Sequence, residues 1–195
     1  MHHKLSFRRK LQTFLLSLLL ILLTAAGVPS AAYTAEAASA DTTMAVHFLD
    51  VGQGLSILVQ SQGENLLYDG GDRGHSSFVV SYLQKQNVST IDYMISSHYD
   101  EDHVAGLVGC LDNFSVKNVI GADYVQDTKI YQSFENEVSS QGLNVQHPDP
   151  GTDFSFGSGK FTVLSPQSIS SNDNDNSVAI RLENGINLFS FYRRC

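Results

Sequence analysis

Short apolar runs alternate with turn-forming residues along the chain after residue 40. Three such runs, at residues 44–49, 56–60 and 65–68, predict strands that follow one another as a β-meander. Apolar residues then recur at helical spacing over residues 78–83, and a continuous apolar run at residues 91–95 is typical of a strand buried on both faces. A helix followed by such a strand indicates layered α/β packing.

The second half of the chain repeats this alternation and then returns to strands. The spacing predicts helices at residues 103–111 and around 129–140, and strands at 116–120, 143–146, 154–156, 160–164, 177–182 and 186–191. Asn184-Gly185, between the last two strands, is a strong hairpin signal. No linker divides the chain, so we predict an α/β fold in one domain spanning residues 41–195.

The first 40 residues have the layout of a secretory signal peptide. A basic start at residues 4–10 leads into an apolar run at residues 14–23. The small residues that follow include Ala35-Glu36-Ala37 and Ala38-Ser39-Ala40, which both fit the A-x-A cleavage pattern. The apolar run is short for a helix that must cross about 30 Å of hydrocarbon. We therefore expect export, cleavage and a secreted protein; an uncleaved membrane anchor is the alternative.

Composition and charge narrow the class of protein further. Hydrophobic residues make up 42% of the chain, which excludes a disordered protein, and two cysteines exclude a disulfide framework. Beyond residue 40 there are 8 basic and 19 acidic residues, a net charge of −11. So acidic a domain repels nucleic acid unless bound cations reverse the field locally.

Four potential metal ligands lie within six residues after the buried strand: His98, Asp100, Asp102 and His103. His98 and Asp100 are two positions apart and can point together, while Asp102 and His103 fall on the opening turn of the next helix. Two imidazoles and two carboxylates suit Zn²⁺, Mn²⁺ or Fe²⁺ better than Ca²⁺. The alternative is that the acidic residues only stabilise the helix N-terminus, which leaves both histidines unexplained.

These four residues also resemble a family motif. The segment from His98 to His103 looks like the H-x-[HD]-x-D-H motif of metallo-β-lactamase-fold hydrolases. Flanking segments resemble the branch that includes the extracellular domain of the competence protein ComEC: residues 48–54, 68–71, 91–93 leading to Ser97-His98, and 175–178. The resemblance runs from residue 44 to residue 191, and four separated motifs in the family's order make it specific.

The resemblance implies an αβ/βα sandwich with a one- or two-metal site between the sheets. By this analogy His98 and Asp100 bind the first metal, and Asp102 and His103 bind the second. Asp102 is also the catalytic residue that orients a metal-activated water. The ions implied are one or two Zn²⁺; Mn²⁺ is possible because Asp100 stands where many relatives have His.

Several other residues are candidates for supporting roles. Asp50 and Asp69 end strands near the same rim, where they either support metal ligands or simply form turns. His75, in the loop after residues 69–71, either lines the groove or is solvated. Cys110 lies in an apolar helix and is predicted to be a core residue.

The chain ends Phe191-Tyr192-Arg193-Arg194-Cys195, where the resemblance implies a Thr-Gly-Asp turn that bridges the metals. Deleting one T from the possible codons TTT TAC AGG AGA TGC gives Phe-Thr-Gly-Asp. We therefore predict a frameshift after about residue 191, and with it a C-terminally incomplete and impaired chain; a natural short variant is the alternative. Sequencing the encoding DNA tests this, since the hypothesis needs a one-base correction that reopens the frame beyond Phe191.

Two functions follow from these observations. The first is a secreted metal-dependent hydrolase that acts on a small-molecule or polymer phosphoester, most simply a phosphodiester. The second is an exported binding or structural domain that keeps the fold without catalysis. Nucleic acid as the substrate rests on the competence-protein analogy alone.

Overall fold

Ten strands form two sheets in the part of the chain that the structure describes. The structure is a computed structural model, and it describes residues 43–192, except the side chains of residues 173 and 174. The predicted signal peptide and the last three residues lie outside the described residues.

The larger sheet has six strands in chain order, and its strands are β1 (Met44–Phe48), β2 (Ile57–Ser61), β3 (Glu64–Tyr68), β4 (Thr90–Ile95), β5 (Ser115–Ile120) and β6 (Val145–Gln146). The first three strands pair antiparallel, and β3 to β6 pair parallel. Parallel strands need crossover connections, and these bring the loops after β3, β4 and β5 to one edge of the sheet. Open α/β sheets bind ligands at this edge.

Helices make the connections between the parallel strands: α1 (Ser76–Lys85), α2 (Glu101–Asn113) and α3 (Lys129–Ser140). In α1 the buried positions are Val79 and Leu83, spaced by one helical turn as the apolar pattern predicts. Thr128 caps α3, because its hydroxyl accepts a hydrogen bond from the backbone N–H of Tyr131 at 3.2 Å. None of the helices in residues 43–192 has the length and apolar character needed to cross a membrane.

The smaller sheet has four antiparallel strands, in the order β10-β9-β8-β7, which are β7 (Asp153–Phe156), β8 (Gly159–Ser165), β9 (Ala179–Asn184) and β10 (Asn187–Phe191). A short 3-10 helix, Asp173–Asn176, precedes β9. Asn184 pairs with Asn187, so the hairpin turns at Gly185 and Ile186, where Gly185 has φ +61°. The predicted turn is therefore present, shifted by one residue because Asn184 still pairs within the strand.

Aromatic side chains join the two sheets. Tyr93 of β4 makes an edge contact with Phe161 of β8 at a ring-centroid distance of 5.0 Å, and Tyr68 of β3 makes one with Phe191 of β10 at 5.6 Å. Such pairs add about 0.5–1.5 kcal/mol each beyond the area they bury. On the other face of the larger sheet, His47 bonds the Tyr82 hydroxyl of α1 at 3.0 Å. The mixed α/β layering confirms the predicted fold class.

Candidate metal centre

The four predicted ligands lie on the loop that leaves β4 and on the first turn of α2. Backbone hydrogen bonds hold this loop from both sides: Ser96 N–H donates to the Ile120 carbonyl at 2.9 Å, and Val178 N–H donates to the Ser97 carbonyl at 2.7 Å. The loop is therefore fixed to β5 of one sheet and to the segment that enters β9 of the other. The two predicted histidines are buried, with 0% of His98 and 5% of His103 exposed, and their ring centroids are 4.0 Å apart.

Asp69, the residue that follows β3, holds this loop in place through hydrogen bonds. Its Oδ1 accepts a hydrogen bond from Ser97 N–H at 2.7 Å, and its Oδ2 accepts one from the Ser97 hydroxyl at 2.7 Å. Oδ2 also lies 2.8 Å from Nδ1 of His103. Asp69 is fully buried and has φ +57°, a left-handed conformation that Asp and Asn adopt more readily than most residues.

These contacts determine which ring nitrogen of each histidine carries the proton. A carboxylate only accepts, so Nδ1 of His103 must donate to Asp69. The Ser97 hydroxyl donates its one proton to the hydrogen bond with Asp69. Its oxygen therefore accepts a hydrogen bond from Nδ1 of His98, which lies 2.9 Å away. Both Nδ1 atoms are thus protonated. A neutral imidazole then has its acceptor at Nε2, the orientation that carboxylate–histidine–metal triads impose.

Each Nε2 atom faces a carboxylate oxygen. Nε2 of His98 lies 3.3 Å from Oδ2 of Asp100, and Nε2 of His103 lies 3.6 Å from Oδ2 of Asp102. With Nδ1 protonated, the Nε2 atom and the carboxylate oxygen of each pair are both hydrogen-bond acceptors. They face each other unfavourably unless a second proton or a metal ion lies between them. The donor set, two imidazole nitrogens and two carboxylates, fits Zn²⁺ or Mn²⁺.

The ligands form two pairs rather than one closed set. Among residues 43–192, no group of three or more His, Cys, Asp or Glu side chains is arranged to hold a metal ion. A catalytic zinc site uses three protein ligands, so each pair by itself is one ligand short. The structure places the four residues on one loop and the helix turn that follows it, and their role as ligands stays a prediction.

Glycines allow three backbone segments to meet around this loop. A Cβ on Gly106 of α2 would overlap the carbonyl oxygen of Gly70, which follows Asp69, and a Cβ on Gly54 would overlap the carbonyl oxygen of Asp102. Hydrogen bonds join the first pair of segments, from Gly70 N–H to the His103 carbonyl at 2.8 Å and from Gly106 N–H to the Gly71 carbonyl at 3.0 Å. The helix that carries His103 is thereby held against the loop that carries Asp69.

The sequence profile of the metallo-beta-lactamase superfamily matches residues 49–164, more than half of the chain. The chain belongs to the metallo-beta-lactamase superfamily. The match covers the β4–α2 loop and both segments that meet it at glycines.

Two curated relatives support the competence-protein branch of the prediction. Recombination protein 2 of Haemophilus influenzae is 29% identical over 154 residues, which cover 74% of this chain and 17% of that protein. Competence protein ComA of Neisseria gonorrhoeae is 38% identical over 63 residues, which cover 32% of this chain and 9% of that protein. The chain thus spans less than a fifth of the length of either relative.

Solved structures share the superfamily fold. A metallo-beta-lactamase from Cronobacter sakazakii with a HARLDQ motif superposes with a TM-score of 0.54 at 13% identity, covering 75% of this chain and 58% of that one. The metallo-beta-lactamase SMB-1, in a complex with mercaptoacetic acid, superposes with a TM-score of 0.50 at 14% identity, covering 70% and 54%. At such low identity these likenesses show the fold alone.

Two clefts border the predicted ligands in this superfamily member. The larger, about 500 Å³, is lined by Asp100, Asp102 and the start of α3. The smaller, about 410 Å³, is lined by Gln53, Asp72 and Asp102. Asp102 therefore reaches both clefts, and its carboxylate is 23% exposed.

The supporting candidates from the sequence have different outcomes. Asp69 bonds His103, so it supports a side chain whose role as a metal ligand stays a prediction. Asp50 is exposed and accepts one hydrogen bond, from Gly52 N–H at 3.3 Å, as a turn residue does. His75 is half-exposed and bonds Asp72, and the hydrogen bond from its side chain holds the pKa of Asp72 below its ordinary value.

Sequence reasoning missed two participants and was right about the cysteine. Ser97, which joins Asp69 to His98, has no role in the sequence prediction, although a hydroxyl directly before a predicted ligand histidine is a usable signal. Arg73, which bonds Glu101 on the wall that the two clefts share, lies in a loop with no local pattern. Cys110 is fully buried in the core as predicted, and burial raises the pKa of its thiol to about 12.

Proposed function

We propose that this protein is a secreted, metal-dependent hydrolase that cleaves a phosphodiester. The observation that carries the proposal is the pair of buried imidazoles, each bonded at Nδ1 and each facing a carboxylate through Nε2. A metal ion or a second proton between the two acceptor atoms of each pair would satisfy both of them. Membership of the metallo-beta-lactamase superfamily supports a hydrolase.

His98 with Asp100, and His103 with Asp102, are the residues that would hold the metal. When bound, zinc would supply a water whose pKa is lowered to about 7 and a Lewis acid for the attacked phosphoryl group. Asp102, which lines both clefts, would accept a hydrogen bond from that water and so orient it. Asp69 and Ser97 keep the Nδ1 protons in place, which leaves Nε2 as the ligand atom.

The substrate class rests on two considerations. The relatives are named for competence and recombination, both of which involve DNA, so a nucleic-acid phosphodiester is one candidate. The net charge of −11 beyond residue 40 opposes long nucleic-acid tracks, and a short strand or a small phosphoester fits the clefts better. Secretion is proposed from residues 1–40; a cleaved product would begin at Ala38 or Asp41.

A specific observation favours the second candidate, a non-catalytic binding domain. The ligands of residues 43–192 form two pairs and no group of three, and a site with few ligands binds metal weakly. This candidate keeps the fold and the clefts but has no activated water.

Zinc stoichiometry and phosphodiester cleavage decide between the two. We expect the full chain to bind zinc and to cleave bis(p-nitrophenyl) phosphate in a chelator-sensitive way, and the double variant His98→Ala/His103→Ala to lose both. His147→Ala is the matched control, because His147 bonds the Gly121 carbonyl in a different cavity. A wild-type chain that binds zinc without cleavage supports the binding domain, whereas unchanged zinc in the double variant removes the proposed centre.

A further inference from the structure

The two clefts beside the candidate centre share one wall. Arg73, Glu101 and Asp102 line both of them, and Lys129 lines the larger cleft from the first position of α3. A substrate group placed against Asp102 is therefore within the same cleft as two cationic side chains, one from a loop and one from the start of α3.

Positive charge is scarce in this domain, which makes its location informative. Residues 43–192 contain six basic and eighteen acidic residues. Three of the six basic side chains form ion pairs on the sheets, and these are Lys117, Lys160 and Arg181. Lys85 lies in the last turn of α1. The remaining two, Arg73 and Lys129, both line the cleft that contains Asp100 and Asp102.

Arg73 is held in place by a contact that is easily exchanged. Its Nε lies 3.2 Å from Oε1 of Glu101, and the two side chains are 72% and 58% exposed. Exposed ion pairs contribute little to stability, so a phosphate can replace Glu101 as the partner of Arg73 at low cost. The guanidinium group suits this exchange because its planar fork binds phosphate oxygens in a bidentate way. The ion pairs of residues 43–192 do not include Lys129, whose ammonium group needs no such exchange.

We propose that Arg73 and Lys129, which line the same cleft, hold the anionic phosphate of the substrate there, and that Glu101 competes with the substrate for Arg73. The inference rests on the proposed function and narrows it, since it selects phosphodiesters over uncharged esters. Arg73 and Lys129 are binding residues in this proposal, whereas Asp102 would orient the reacting water.

Two matched probes isolate the charge of the phosphate. Dithymidine with a natural phosphodiester linkage carries the negative charge, and the same dinucleotide with a methylphosphonate linkage does not. Binding to the zinc-supplemented full chain is measured by calorimetry, with zinc content determined on the same samples. We expect wild type to prefer the charged probe and Arg73→Gln/Lys129→Gln to lose about tenfold or more in affinity for it, while affinity for the uncharged probe is unchanged.

A third variant separates a binding role from a structural one. Glu101→Gln removes the competitor for Arg73, so it should bind the charged probe several-fold more tightly than wild type; loss of a merely structural ion pair would not do this. Lys85→Gln is the control for net charge. The inference is overturned if zinc-bound wild type shows no preference for the charged probe, or if the double variant binds it as wild type does. A wild type that binds no zinc instead overturns the proposed function, and this inference with it.

Discussion

Replacing Asp69 by Asn tests the hydrogen bonds that hold Ser97 and His103 in place. Asn tolerates the left-handed backbone of this position, so the substitution changes the carboxylate and little else. The three hydrogen bonds that Asp69 accepts come from Ser97 N–H, the Ser97 hydroxyl and Nδ1 of His103. Whichever oxygen becomes an NH₂ group, at least one of these donors then faces another donor.

The expected magnitude follows from the number of lost contacts. A hydrogen bond to a charged group contributes about 1.5–3 kcal/mol, and a buried donor without an acceptor adds a penalty. Losing one or two contacts at Asp69 should therefore lower the free energy of unfolding by about 2–4 kcal/mol. Zinc affinity should fall about 10–100-fold, as it does when the support of a ligand histidine is removed.

Urea unfolding of the metal-free protein and chelator competition for zinc give the two quantities. Asp50→Asn is the matched control, because Asp50 is exposed and accepts a single hydrogen bond; its stability should stay within about 0.5 kcal/mol of wild type. If Asp69→Asn is as stable as this control, the carboxylate does not hold the loop. If stability falls but zinc affinity does not, Asp69 supports the fold and has no part in orienting His103.

Three further predictions concern the packing, the thiol and the surface charges. Gly106→Ala should lower the free energy of unfolding by about 2 kcal/mol or more in urea, because its methyl group meets backbone that cannot move aside. In a Cys195→Ser background, Cys110 should react with a thiol reagent at neutral pH only in denaturant, since burial raises its pKa to about 12; rapid labelling of the folded chain would contradict this. The hydrogen bond from Lys160 lowers the pKa of Asp153 in the folded protein. The stability that this bond contributes is therefore present above the ordinary pKa of 3.8, and it is lost as the pH falls through the lower pKa of the folded state. Asp153→Asn should flatten the stability–pH curve below about pH 4, and an unchanged acid limb would refute the pairing.

The fold was predictable because most of its strands and helices are defined by local patterns. The continuous apolar run of β4 and the helical spacing of α1 and α3 mark these elements within one or two residues of their observed ends. The prediction for β6 was too long at its start, since Leu143 N–H bonds the Val138 carbonyl and so closes the turn that follows α3. Tertiary contact, rather than hydropathy, determines that boundary.

The site was predictable only where it is local in sequence. His98 to His103 form one motif, so their proximity needs no knowledge of the fold. The support from Asp69 depends on the parallel pairing of β3 with β4, in which Tyr68 lies opposite Ile95, and no local pattern encodes that register. The approach of Lys129 to the same cleft likewise depends on how α3 follows β5.

Because of the contact between Gly70 and Gly106, we expect the cleft walls to change in evolution independently of the candidate metal centre. Main-chain hydrogen bonds join the histidine-bearing helix to the neighbouring loop at this contact, in addition to the side-chain bond between Asp69 and His103. Substitutions on the cleft walls can therefore alter which molecules are accepted while the candidate metal centre keeps its alignment. Selection for new specificities on this scaffold would be expected to spare the two glycines and to act on the residues around them.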